Sequence, residues 1–172
     1  MIEFLEDFDS FHSDMMFILH KLLFLVAIDQ HDKAITIFEN IKNEFNMHTR
    51  MGLNLMLTVL CSYRYAGRLD LCMEIHRTIL KDSIYKEYFE YGYFLRLTNI
   101  YLHNRKAIAF AKKSIDFFHH LSDSYQEGKS LITYAKLLAG LGKYKKALRE
   151  LSKASILLKY SSIRNNVLWV TE

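Results

Sequence analysis

The stretch GKSLITYAKLLAGLGKYKKALRELSKASILLK, Gly128 to Lys159, decides the fold. Leu131, Ile132, Tyr134, Ala135, Leu137, Leu138 and Leu141 recur at the three- and four-residue steps that make one face of a helix. Gly142 follows the last of them, and glycine enters the left-handed conformation that ends a helix at little steric cost. A second helix then carries Tyr144, Ala147, Leu148, Leu151, Ala154 and Leu158 on its apolar side. Lys145, Lys146, Arg149, Glu150 and Lys153 are expected on the solvated side. Ala135 and Ala147 stand where two antiparallel helices would cross closely, with Ala154 two turns further along the stripe. The unit reads as a helical hairpin turned at Leu141, Gly142 and Lys143.

Upstream, the same template fits three more times. A strongly apolar helix from Ser10 to Asp29, a turn at Gln30 to Asp32 and a helix from Lys33 to Phe45 make one pair, with Asp29 where the template has glycine. Met51 to Ala66, Gly67 and Arg68 to Leu80 make the next, with Cys72 in the place of the small alanine. Asp82 and Ser83, residues that favour helix starts, open a third pair. Its first helix is expected over Ile84 to His103, and its second carries the stripe Ala107, Ala111 and Ser114. Ser124 and Glu127 have the spacing of a capping box ahead of the template hairpin. Ala34, Cys72, Ala107 and Ala147 are separated by 38, 35 and 40 residues.

This pattern resembles the tetratricopeptide repeat, through Ala135, Leu138, Gly142, Tyr144, Ala147, Leu151 and Ala154. Lys159 stands where that family commonly has proline, and Leu138 where tyrosine is commonest. The lengthened period is more similar to repeats of large bacterial regulators and signalling ATPases than to regular 34-residue arrays. The resemblance implies an all-α fold of antiparallel helical hairpins stacked in a right-handed superhelix, an α-solenoid of about four repeats. Residues 1–172 are expected to form one domain, with repeats near 10–46, 48–82, 84–121 and 123–160. Residues 162–172, including Trp169, would be a capping helix or the start of a further repeat, and a piece of a longer array is the favoured reading. Residues 1–9 would be a short helix or the tail of a preceding repeat.

Composition bounds the function. The chain has no proline and six glycines, which leaves long helices uninterrupted. Its longest apolar run, Met15 to Ile28, is broken by His20 and Lys21 and is too short for a bilayer. The acidic N-terminus (Glu3, Glu6, Asp7, Asp9) is wrong for a secretory signal, so a cytoplasmic protein without membrane contact is expected. Cys61 and Cys72 are expected as free thiols, since no Cys/His spacing suggests a metal. Residues 1–86 hold nine Lys and Arg against twelve Asp and Glu; residues 87–172 hold fourteen against seven. The basic half suits an acidic partner, or is a solvated surface.

No catalytic, cofactor or metal residues emerge. There is no nucleophile elbow, phosphate loop or HExxH motif, and adjacent His119 and His120 diverge on a helix. The expected activity is therefore non-enzymatic: a protein- or peptide-binding scaffold, part of a larger regulatory or signalling protein. The alternatives are a small free-standing chaperone that binds an extended client segment, and the peptide-sensing domain of a bacterial regulator. Peptide-binding candidates on the concave wall are Asn54, Arg64, Tyr65, Asn99, Lys129 and Lys136. Asn can grip a peptide backbone and Arg or Lys a carboxylate; the alternative is an ordinary hydrated groove. The apolar first helix and the Trp169 end could also join copies of the chain. Nucleic acid is not the expected partner, because no aromatics interleave with the cations Lys143, Lys145, Lys146, Arg149 and Lys153.

Overall fold

Among the described residues the chain is helical over most of the stretches where the apolar steps predict helices. The structure, a computed structural model, describes the backbone of residues 11–168 and the side chains of 15–159. Every regular element among the described residues is helical: α1 (Phe11–Ala27), α2 (His31–Ile41), α3 (Arg50–Tyr65), α4 (Leu69–Lys81), α5 (Glu90–Leu97), α6 (Asn104–His120), α7 (Ser124–Gly140) and α8 (Tyr144–Leu168). The residues read as an N-terminal helix, 1–9, and Trp169 lie outside the described residues. Residues 162–168, read as the start of another helix, continue α8. Two compact units divide the chain, Met1–Tyr91 and Gly92–Glu172.

In the first unit, α1 and α2 form one hairpin and α3 and α4 the next, and α3 packs against α1, α2 and α4. α3 is the centre because it is apolar almost all round: Leu53, Leu55, Met56, Leu57, Val59, Leu60 and Tyr63 are all buried. Thr49 caps it, its hydroxyl accepting from the Gly52 N–H at 3.0 Å. Ala34 and Cys72 are fully buried, and Cys72 donates to the Leu60 carbonyl. Cys61 and Cys72 are both free thiols.

In the second unit, α7 packs against α6 and α8. Ala107, Ala111, Tyr134, Ala135, Leu137, Leu138 and Ala147 form one buried core, so small residues sit where helices meet. Ser114, fully buried, donates to the Gly92 carbonyl at 2.9 Å and lies 2.8 Å from the Ser130 hydroxyl. Gly92 is required there: a Cβ at that position would stand 2.4 Å from Phe118 Cζ and 2.7 Å from Phe117 Cδ1.

One turn device recurs. Asp29, Gly67, Ser122 and Gly142 all have positive φ, at 58°, 71°, 56° and 73°. Each ends a helix with the same pair of bonds. At Gly142, its N–H reaches the Ala139 carbonyl and the Lys143 N–H reaches the Leu138 carbonyl, both at 2.9 Å. The equivalent bonds at Asp29 run to Val26 and, from Gln30, to Leu25. The left-handed turn thus survives without glycine.

Three expectations need correction. Ile84 to His103 is not one helix. A 3-10 turn over Ser83–Glu87, opened by the Asp82 carboxylate on the Ile84 N–H, precedes α5. Tyr85 holds that turn in place, buried with its hydroxyl donating to the Met47 carbonyl at 2.8 Å. After α5 the chain tightens again over Thr98–Ile100, where the Thr98 and Asn99 side chains donate to the Leu95 and Arg96 carbonyls and compete with the α-helical ladder. The cap of α7 is Asp123, which accepts from the Gln126 N–H at 2.9 Å, in place of a Ser124–Glu127 box; Glu127 instead meets His119. On α8 the buried side is Ala147, Glu150 and Ala154, while Tyr144, Leu148 and Leu151 are 67%, 65% and 40% exposed. The helix is turned so that its small residues meet α7, which leaves the bulky ones on its shoulder. Burial pushes the Glu150 carboxyl up, but Lys153 at 2.9 Å and Arg149 outweigh this and hold it below the usual carboxylate range.

Candidate functional site

Within the first unit a cleft of about 490 Å³ opens beside α1 and α3, a size ordinary for small-ligand sites. Its wall is largely apolar, with Met15, Met16 and Leu19 from α1 and Met51 from α3. Five polar residues join that wall: Asn46 and Thr49 ahead of α3, Arg50 and Asn54 on α3, and Glu90 at the first position of α5. Glu90 is buried, at 7% exposed. Arg50 donates to its Oε1 from Nε and Nη2, both at 2.8 Å. Its Oε2, shielded from solvent, has no hydrogen-bond partner among the described residues. An ion pair with one oxygen left unsatisfied is costly in a buried setting. The loop that supplies Asn46 and Thr49 to the cleft is tied down by His48, whose Nδ1 lies 2.5 Å from Asp82 Oδ2. That bond, with the Ile84 N–H, holds the Asp82 carboxyl below its ordinary range.

A smaller hollow of about 230 Å³ involves Phe38, Glu39, Tyr63 and Ile75. Tyr63 donates to Glu39, which also pairs with Lys42 at 2.7 Å. The Lys42 and Tyr63 hydrogen bonds hold the Glu39 carboxyl low; burial, with the Glu39 bond, drives the Tyr63 phenol far up. This is a locked structural pair, with its donor and acceptor already matched.

Of the six residues the sequence singles out, only Asn54 lines the larger cleft. Arg64 and Tyr65 are exposed at the far end of α3, about 15 Å along the helix from Asn54. Tyr65 stacks on His31, with ring centroids 4.3 Å apart. In the second unit Asn99 is half-buried and turned back onto the Arg96 carbonyl, so its amide is engaged in ending α5. Lys129 and Lys136 are exposed two turns apart on α7, and the Lys129 ammonium stands 4.4 Å from the Tyr125 ring centroid.

His31 also lies 3.2 Å from Ser62 Oγ and 3.7 Å from Asp29 Oδ1, a Ser, His and Asp alignment. Ser62 is fully buried in α3, so its hydroxyl faces the α1–α2 turn and cannot meet a substrate. Among the described residues no group of three or more His, Cys, Asp and Glu is arranged to hold a metal ion, and no helix is long and apolar enough to cross a membrane.

Sequence reasoning missed Glu90, Arg50 and the methionines. One signal was present: Glu90 is the only acid in the aromatic run YFEYGYFLRL, residues 88–97, where a lone acid points to burial with a partner. No protein-family model, curated protein or solved structure matches the chain.

Proposed function

We propose that this chain is a tetratricopeptide-like scaffold, a right-handed stack of helical hairpins, that binds an extended protein or peptide segment and acts without catalysis in the cytoplasm as part of a larger regulatory protein. The observation that carries the reading is the cleft beside α1 and α3, where an apolar wall holds a few fixed polar groups. The hairpins and the buried small residues at their crossings support the repeat assignment. The test is a titration of the isotopically labelled chain with a pool of random twelve-residue peptides, read by amide resonances. Shifts at Met15, Leu19, Met51 and Asn54 are expected, and Asn54→Ala should weaken them. A pool that moves no resonance of α1 or α3 overturns the reading.

A second reading rests on α1. Met16, Phe17, Leu23 and Phe24 lie exposed along it, with Phe24 at 62%, and Ile28 is exposed just past its end. An apolar helix face of this kind marks an interface, which favours a client-binding chaperone or self-association. Sedimentation across a hundredfold concentration range tests the latter; a concentration-independent monomer overturns it.

A further inference from the structure

α8 carries an apolar stripe, Tyr144, Leu148 and Leu151, that the described residues leave exposed. The same register positions on α2 and α6 are covered. Counted from Ala34, Ala107 and Ala147, the stripe corresponds to His31, Ile35 and Phe38 on α2 and to Asn104, Ile108 and Ala111 on α6. His31 stacks on Tyr65 and Phe38 meets the Tyr63 ring edge-on, both rings belonging to α3. Asn104 stands against Gly140 of α7, where an added Cβ would come within 2.7 Å of its Nδ2, and Ala111 is buried in the core with Tyr134. In each case the cover is the next helix of the chain that opens a hairpin.

α1 has the matching open face. Asp29, Gly67 and Gly142 are the left-handed residues that end α1, α3 and α7. Five and twelve residues before them stand Ser62 and Leu55 on α3, and Leu137 and Ser130 on α7, all four buried. Ser62 faces His31 of α2, and Ser130 faces Ser114 of α6. On α1 the same positions are Phe24 and Phe17, 62% and 47% exposed. The chain thus leaves one face of each kind open, and the two kinds meet within it at α2–α3 and at α6–α7. Lys21 stands exposed between the phenylalanines, on a stem long enough to carry its charge to the rim of a contact.

Resting on the self-association reading above, we propose that a second copy of this chain supplies the missing cover. α1 of one copy lies antiparallel along α8 of another, in the place that α3 takes on α2 and α7 on α6. The direction follows from the internal pairs, where the starts of α2 and α6 meet the ends of α3 and α7. It sets Phe24 beside Leu148 and the start of α1 beside the later turns of α8. Charge favours the same arrangement. Residues 1–14 carry five Asp and Glu and no Lys or Arg. α8 carries six Lys and Arg against one Glu, and past Lys153 it has Lys159 and Arg164 with no acid. A symmetric pairing of two α1 helices on the same phenylalanines would instead bring Lys21 up to Lys21.

Sedimentation of two variants, alone and mixed, tests this. Phe24→Glu removes one face and Leu148→Glu the other. Both side chains are exposed in the single chain, so the fold should hold, as helical circular dichroism checks. The wild type should associate as concentration rises. Each variant alone should associate at least about tenfold more weakly, because every contact would press a carboxylate onto an apolar face. An equimolar mixture should recover a particle of two chains, since Phe24→Glu keeps its α8 face and Leu148→Glu keeps its α1 face. Recovery on mixing is the signature of two different faces meeting, and contacts of like with like do not give it.

A Leu148→Glu protein that associates as the wild type does overturns the proposal and leaves self-association through α1 standing. Two monomeric variants that stay monomeric when mixed overturn it as well. A wild type that is monomeric at every concentration overturns both the proposal and the self-association reading, and leaves the two faces to helices of other proteins. Should Phe24→Glu lose its helices, Phe17→Glu takes its place in the mixture.

Discussion

Four helix ends adopt the same left-handed turn, two with glycine and two without, which allows a reciprocal test. At Gly67 and Gly142 an added Cβ would meet nothing within 4 Å, so Gly→Ala there changes only backbone energetics. A left-handed residue with a Cβ costs about 1–2 kcal/mol. Loss of glycine's freedom in the unfolded chain returns about 0.4–1 kcal/mol. Gly142→Ala should therefore destabilise by about 1 kcal/mol, and Gly67→Ala similarly. Ser122→Gly runs the same terms backwards and should stabilise by about 0.5–1 kcal/mol. Asp29→Gly should gain less, because aspartate tolerates this conformation better and the Asp29–His31 contact at 3.7 Å goes with it. Urea unfolding followed by helical circular dichroism reads all four, with m unchanged. In heat, about 1 kcal/mol corresponds to roughly 2–4 °C for a chain of this size. A neutral Gly142→Ala, or a destabilising Ser122→Gly, would refute the claim that these turns are governed by backbone conformation.

Three further outcomes are expected. Gly92→Ala drives a Cβ into the Phe117 and Phe118 rings, and should cost about 1–3 kcal/mol in urea unfolding; an unchanged midpoint would mean the rings yield freely. Ala147→Leu places a branched side chain in the α6–α7–α8 core and should cost about 1–3 kcal/mol, checked by the same assay, whereas Leu148→Ala, on the exposed shoulder, should cost far less. His76 is buried, and burial lowers its pKa from the ordinary 6.5. Its folded form therefore binds protons less readily than its unfolded form. The resulting stability is fully present above pH 6.5 and is lost as pH falls from there toward the lower folded value. His76→Phe should flatten the stability profile between pH 7 and 5; equal slopes for the two proteins would count against it.

Outside residues 83–103, the sequence by itself determined which of the described segments are helical, where the left-handed turns fall and which small residues are buried. Those signals are local: the step of three and four along Leu131 to Leu138, the glycines at 67 and 142, and the alanines at 107, 135 and 147 all act within or between adjacent helices. The tertiary structure alone decided how each helix is rotated about its axis and where its regular winding stops. Leu148 and Glu150 exchanged expected sides because burial depends on which stripe meets α7, and the periodicity of α8 offers more than one. α5 was cut short by Tyr85 anchoring on Met47 before it and by Thr98 and Asn99 turning onto backbone carbonyls after it, bonds formed only once their partners are in place. The cleft follows the same rule. Asn54 was singled out from its helix position and lines the cleft, but Glu90 and Arg50 lie forty residues apart in sequence, and only the folded chain pairs one oxygen and leaves the other without a donor among the described residues.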